Sequence, residues 1–109
     1  MLSLITGSYT ASALKGMAEK CEDRTEASGA ALALFGGKIE RYFMVAGSAE
    51  FLMIADLPDN DTAAAVGSVV IGTGTVMDFK VTPLVPMSKM PDVFRSAQAA
   101  ISKYRPAGH

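Results

Sequence analysis

The residues with the chemistry to recognise or transform a small molecule are polar side chains set into otherwise apolar stretches: Tyr9, Arg41, Tyr42, Glu50, Asp78 and Lys80. A few polar groups converging on an apolar cavity orient a small ligand. Burial raises the pKa of a carboxylic acid enough for acid–base work, which singles out Glu50, with Tyr42, as an acid or base in a desolvated pocket. The competing reading of Arg41, Glu50, Asp78 and Lys80 is opposite charges paired across strands or along a subunit seam.

Other reactive types form no catalytic set. His109 is the sole histidine and the last residue of the sequence, which speaks against a histidine triad or a histidine-rich metal site. Cys21 falls on an apolar stripe beside Met17 and Ala18, so a buried, unreactive thiol is expected there. Gly36-Gly37 and Gly72-Thr73-Gly74 follow helical stretches. They read as helix stops, because the negative end of a helix dipole repels phosphate. Asp59 and Asp61 precede a helical pattern and read as caps, while Arg24 among Glu22, Asp23 and Glu26 reads as a surface charge cluster.

Composition narrows the classes further. The chain has 109 residues, half of them hydrophobic, no Trp, one Cys and a formal net charge of −1. That length suits a single domain, residues 1–109. With no basic field, nucleic-acid binding is not expected, and no apolar run has the length of a membrane span. Cytoplasmic location is the expectation by default.

The elements that must position these side chains follow from periodicity. Residues 2–9 read as a strand, and Thr10 and Ser12 offer capping oxygens to a helix carrying Leu14, Met17, Ala18 and Cys21 on one stripe. A second stripe, Ala27, Ala30, Ala31 and Leu34, follows after a break at the charged cluster. Residues 38–46 and 50–57 form a hairpin about Gly47-Ser48, residues 63–71 a helix and residues 75–85 a strand interrupted by Pro83. A last amphipathic helix, about 88–104, carries Val93, Ala97, Ala100, Ile101 and Tyr104.

The order β-α-β-β-α-β with an added C-terminal helix is that of the α+β, ferredoxin-like split βαβ fold, a four-stranded antiparallel sheet with helices on one face. Both hairpin strands are apolar on both faces. In the first, Ile39, Phe43 and Val45 oppose Tyr42, Met44 and Ala46; in the second, Phe51, Met53 and Ala55 oppose Leu52 and Ile54. One helical layer covers one face only, and exposed apolar surface costs about 25 cal/mol per Å². The other face therefore calls for a partner, most economically a second copy, giving a dimeric α/β barrel. A fourth-strand edge and the C-terminal helix offer further docking surfaces for a higher even-numbered assembly.

The run Gly36-Gly37-Lys38, the strand to Gly47, Glu50 entering Phe51-Leu52-Met53-Ile54, and Leu57-Pro58-Asp59 before an Ala-rich helix resemble the GYD domain family. Arg24 and Gly74-Thr75-Val76 fit the same layout, and the resemblance covers about residues 2–86. Ser48-Ala49-Glu50 stands where the family tends to have a Tyr followed by Asp. The resemblance implies a small dimeric α/β-barrel domain in a family without an established common activity.

Two function classes follow. The first is a non-catalytic homodimer that binds a small apolar ligand or serves as an assembly or sensory module, with Tyr9, Arg24, Tyr42, Met44, Glu50, Met53 and Lys80 as candidate ligand-binding residues. The second is a cofactor-independent isomerase or monooxygenase-like enzyme using Tyr42 or Glu50. The lack of a catalytic constellation favours the first, and neither a metal nor a cofactor is expected.

Overall fold

The computed structural model describes residues 1–109. Strand β1 (Leu2–Tyr9) leads into helices α1 (Ala11–Lys20) and α2 (Arg24–Ala33). Strands β2 (Lys38–Met44) and β3 (Glu50–Asp56) form the hairpin, followed by α3 (Asn60–Gly72), β4 (Val76–Pro83), a 3-10 turn (Met87–Lys89) and α4 (Met90–Ile101). The four strands form one antiparallel sheet in the order β2-β3-β1-β4. This is the ferredoxin-like arrangement, with β2 and β4 at the edges.

Local chemistry sets the boundaries. Thr10 caps α1 by accepting from the Ala13 amide at 3.2 Å, and the Asp59 carboxylate caps α3 by accepting from the Thr62 amide at 2.8 Å. Asp23 caps α2 through the Thr25 amide, so the charged cluster separates two helices. Cys21 closes α1 in a left-handed conformation, φ 49°, and is exposed. That corrects the expected burial: the stripe ends at Met17, because the terminal residue must turn out of the helical path to release the chain.

The core is the layer between the sheet and the helices. Ser3, Ile5, Gly7 and Tyr9 alternate inward along β1, joined by Phe51, Met53 and Ala55 of β3, Leu32 of α2 and Val66 of α3. Gly7 leaves room for an aromatic ring: a Cβ there would lie 2.8 Å from Phe51 Cζ and 2.9 Å from Val76 Cγ1.

Two irregularities redirect side chains. In β2 the register slips between Ile39 and Arg41, so Ile39 faces Ala55 and Tyr42 faces Met53. One extra residue, Glu40, switches the side-chain parity. Ile39 and Tyr42 both pack on the core, which corrects the grouping of Ile39 with Phe43. In β4 the register slips between Met77 and Lys80 at Asp78, which sits at φ 54° and restores Phe79 and Val81 to the inner side.

The opposite sheet face carries no element of this chain. Across it run the rows Arg41-Ile54-Leu4-Thr82 and Phe43-Leu52-Thr6-Lys80. Its centre is apolar, and Phe43 is 43% exposed. The Arg41 guanidinium lies 4.9 Å from the Phe43 ring centroid, a cation–π contact.

Candidate functional site

An apolar cavity of about 210 Å³ opens between the sheet and helices α2 and α3. Its floor is Ile5, Phe51, Met53 and Val76 from the inner sheet face; Leu32, Val66 and Val70 form the helical wall, with Phe35 from the turn after α2. Ser28, Thr73 and Thr75 belong to its polar lining, and three further polar side chains line it together: Tyr9, Tyr42 and Arg24. They come from the end of β1, the middle of β2 and the first residue of α2.

The Tyr9 and Tyr42 hydroxyls are hydrogen-bonded at 2.8 Å. Phe51 holds both rings, its centroid 5.1 Å from that of Tyr9 and 6.0 Å, edge-on, from that of Tyr42. Burial, then the Tyr42 hydroxyl, push the Tyr9 phenol well above the ordinary tyrosine range, while Arg24 pulls weakly the other way. Tyr9 is therefore a neutral hydrogen-bond donor and acceptor. Arg24 is half-buried and bonded to Glu22 at 2.9 Å. Glu22 raises the Arg24 pKa, burial opposes it, and the Tyr9 hydroxyl reinforces the charge.

Tyr9, Arg24 and Tyr42 also border a second recess of about 280 Å³, shared with Met17, Glu22, Phe43 and Met44. The three polar residues thus stand between the apolar cavity and this more polar vestibule. Chemically, the arrangement suits an apolar body in the cavity with an oxygen-bearing head among the hydroxyls and the guanidinium.

The structure brings together Tyr9, Arg24, Tyr42 and Met53 in the cavity, with Met44 in the vestibule. Glu50 and Lys80 lie elsewhere. Glu50 is exposed at the start of β3, in a shallow recess with Thr6, Ser8 and Asp78, and Lys80 pairs with Thr6 on the uncovered face. Arg41, Glu50, Asp78 and Lys80 form no ion pair within the chain; the ion pairs are Met1–Asp56, Lys15–Glu19, Arg24–Glu22 and Arg95–Asp92. Arg24 is more than a member of a surface cluster, because it reaches the cavity wall.

Phe35, Phe51, Phe79 and the bonded hydroxyls of Thr73 and Thr75, 2.7 Å apart, also line or border the site and were not foreseen. Period-two alternation marks Phe51 as inward-facing. The convergence of Thr73 and Thr75 on the cavity depends on how α3 runs back over the sheet, which no local pattern specifies. No group of three or more His, Cys, Asp or Glu side chains is placed to hold a metal ion. No helix is long and apolar enough to cross a membrane.

Fold and site together define a small ferredoxin-like α+β domain with a sheet–helix cavity walled by a tyrosine pair and an arginine. The chain belongs to the GYD domain family, whose model matches residues 4–94. No curated protein and no solved structure matches it.

Proposed function

We propose that this GYD domain is a homodimeric module that binds a small apolar molecule in the cavity between its sheet and helices. The observation that carries the reading is the cavity wall shared by Tyr9, Tyr42 and Arg24 in largely hydrophobic surroundings. A dry apolar cavity of about 150 Å³ accommodates benzene. The present volume suits one ring, or a short branched chain, bearing a carbonyl or carboxylate head. The tyrosine hydroxyls supply donors, and Arg24 keeps its charge beside them.

Dimerisation is supported by the uncovered sheet face. Leu4, Leu52, Ile54 and Phe43 form a contiguous apolar centre there, flanked by Arg41, Thr82 and Lys80. Two such faces packed together bury both apolar centres. An acid–base role for Glu50 has no support from its place, which is exposed and outside the cavity.

Native mass spectrometry of protein purified from its own host tests the reading. The expected result is an even-numbered assembly retaining a small organic mass, which Tyr42→Phe combined with Arg24→Ala releases. An assembly that carries no such mass, and whose cavity takes up none of a panel of single-ring carboxylates and ketones, would overturn ligand binding. A monomer at micromolar concentration would overturn the sheet-to-sheet dimer.

A further inference from the structure

Helix α4 is amphipathic and has nothing beneath it. Met90, Val93, Phe94, Ala97, Ile101 and, just past the helix, Tyr104 fall on one stripe. Every residue from Pro91 to Ile101 is exposed, with Phe94 at 60% and Ile101 at 72%. None of them packs on the hydrophobic core. The chain is accordingly 58 Å long with a radius of gyration of 17.8 Å, against about 13 Å for a compact domain of this length.

The connector sends the helix outward. Leu84 and Val85 lie between Pro83 and Pro86, and Pro86 adopts φ −56° and ψ 137°, an extended conformation. Prolines at both ends restrict the backbone freedom needed to fold α4 back on its own body.

The same molecule offers a groove of helical dimensions. It lies between α3 and the β4 edge, on the inner side of the sheet, with Ala64, Gly67 and Ile71 on one wall and Phe79, Val81 and Pro83 on the other. The groove runs beside a 13-residue helix, and α4 has 12 residues; at 1.5 Å per residue these are about 20 and 18 Å long. Charge fixes the direction. Asp59 and Asp61 stand at the N-terminal end of α3, and Lys103 and Arg105 follow α4, so antiparallel docking sets opposite charges together and aligns the two helix dipoles favourably.

We infer that α4 docks antiparallel in the α3–β4 groove of a second copy of this chain, in a reciprocal exchange of C-terminal arms. Reciprocity doubles the contact. Phe94 and Tyr104 are aromatic side chains of a type that buries about 150–250 Å² each. Counted over two arms, with the groove surfaces they cover, the contact reaches on the order of the 1,000 Å² that specific association requires. Phe79 belongs both to the groove and to the cavity, so the partner's arm would brace the back wall of the ligand site. The exchange does not depend on a ligand or on sheet-to-sheet pairing.

The test uses the full chain, half of it ¹³C-labelled and half unlabelled, mixed in denaturant and refolded together. Isotope-filtered NMR then reads contacts between chains, and the unfiltered ¹³C-edited spectrum of uniformly labelled protein adds those within one chain. The expected result is cross-peaks from Phe94 to Ile71 and from Ile101 to Ala64 of the other chain, lost in Phe94→Asp, an exposed substitution that leaves the folded body intact. The same contacts seen only within one chain would mean that α4 folds back, and would overturn the exchange. Contacts between chains at Leu52 and Ile54 but none at Phe94 would also overturn it, while leaving sheet pairing in place. No contact to α4 from any chain would overturn it as well.

Discussion

The hydroxyls of Tyr9 and Tyr42 meet at 2.8 Å although 33 residues separate them in the chain. They belong to strands that are not neighbours, since β3 runs between β1 and β2. The contact spans that intervening strand above Phe51, whose ring touches both tyrosines. It depends on the β2 bulge, which brings Tyr42 to the inner face while Arg41 and Phe43 take the outer one.

That pair should be energetically coupled. Tyr9→Phe and Tyr42→Phe each remove one partner of a part-buried hydrogen bond, and a typical bond of this kind contributes about 0.5–1.5 kcal/mol. A double-mutant cycle by urea denaturation should return a coupling in that range. Additive losses from the two substitutions would show that the hydroxyls act independently.

Alkaline pH should destabilise the fold through Tyr9. The phenol pKa is raised in the folded state, chiefly by burial, above its ordinary value of about 10 in the unfolded chain. The unfolded chain therefore releases this proton first. The stabilisation is fully present below pH 10 and is lost as the pH rises from there towards the folded value. Urea midpoints should fall above about pH 10 more steeply in the natural sequence than in Tyr9→Phe. Parallel curves would dismiss Tyr9 as the responsible group.

Gly7→Ala should be destabilising by about 1–3 kcal/mol, the usual cost of overpacking a filled core. The added methyl would meet Phe51 at 2.8 Å and Val76 at 2.9 Å. Thermal melts of Gly7→Ala alone and combined with Phe51→Leu provide the check. The second substitution removes part of the clash, so it should cost less in the Gly7→Ala background than in the natural one.

Ile54→Lys should weaken association without unfolding the chain. Ile54 lies at the centre of the uncovered sheet face, between Leu4 and Arg41. In the proposed sheet-to-sheet dimer, a charge buried between two such faces should raise the dissociation constant at least about tenfold, or 1.4 kcal/mol. Sedimentation equilibrium measures this while circular dichroism checks the fold. The face is separate from the α4 stripe, so its effect should add to that of Phe94→Asp. An unchanged dissociation constant would remove the sheet face from the interface.

Much of the fold was legible because its signals are local. The stripe on α1 up to Met17, the Asp59 cap and the alternation of Phe51, Met53 and Ala55 each follow from a few neighbouring residues and a fixed period. Their order sufficed for the ferredoxin-like topology, and two-sided hydrophobicity pointed to an uncovered face. Tyr9, Tyr42, Arg24 and Met53 stood out as candidates by type and setting.

Tertiary structure decided which of those candidates meet. A bulge at Glu40 is one residue without a composition signal, yet it reverses every side chain on one side of it and decides that Tyr42 faces the cavity. Exposure of Cys21 followed from a left-handed residue ending α1. Glu50 and Lys80 had the same standing in the sequence as Tyr9, but strand pairing set them outside the cavity. Periodicity specifies which face of its own element a side chain occupies. Only the packing of elements distant along the chain determines what that face meets.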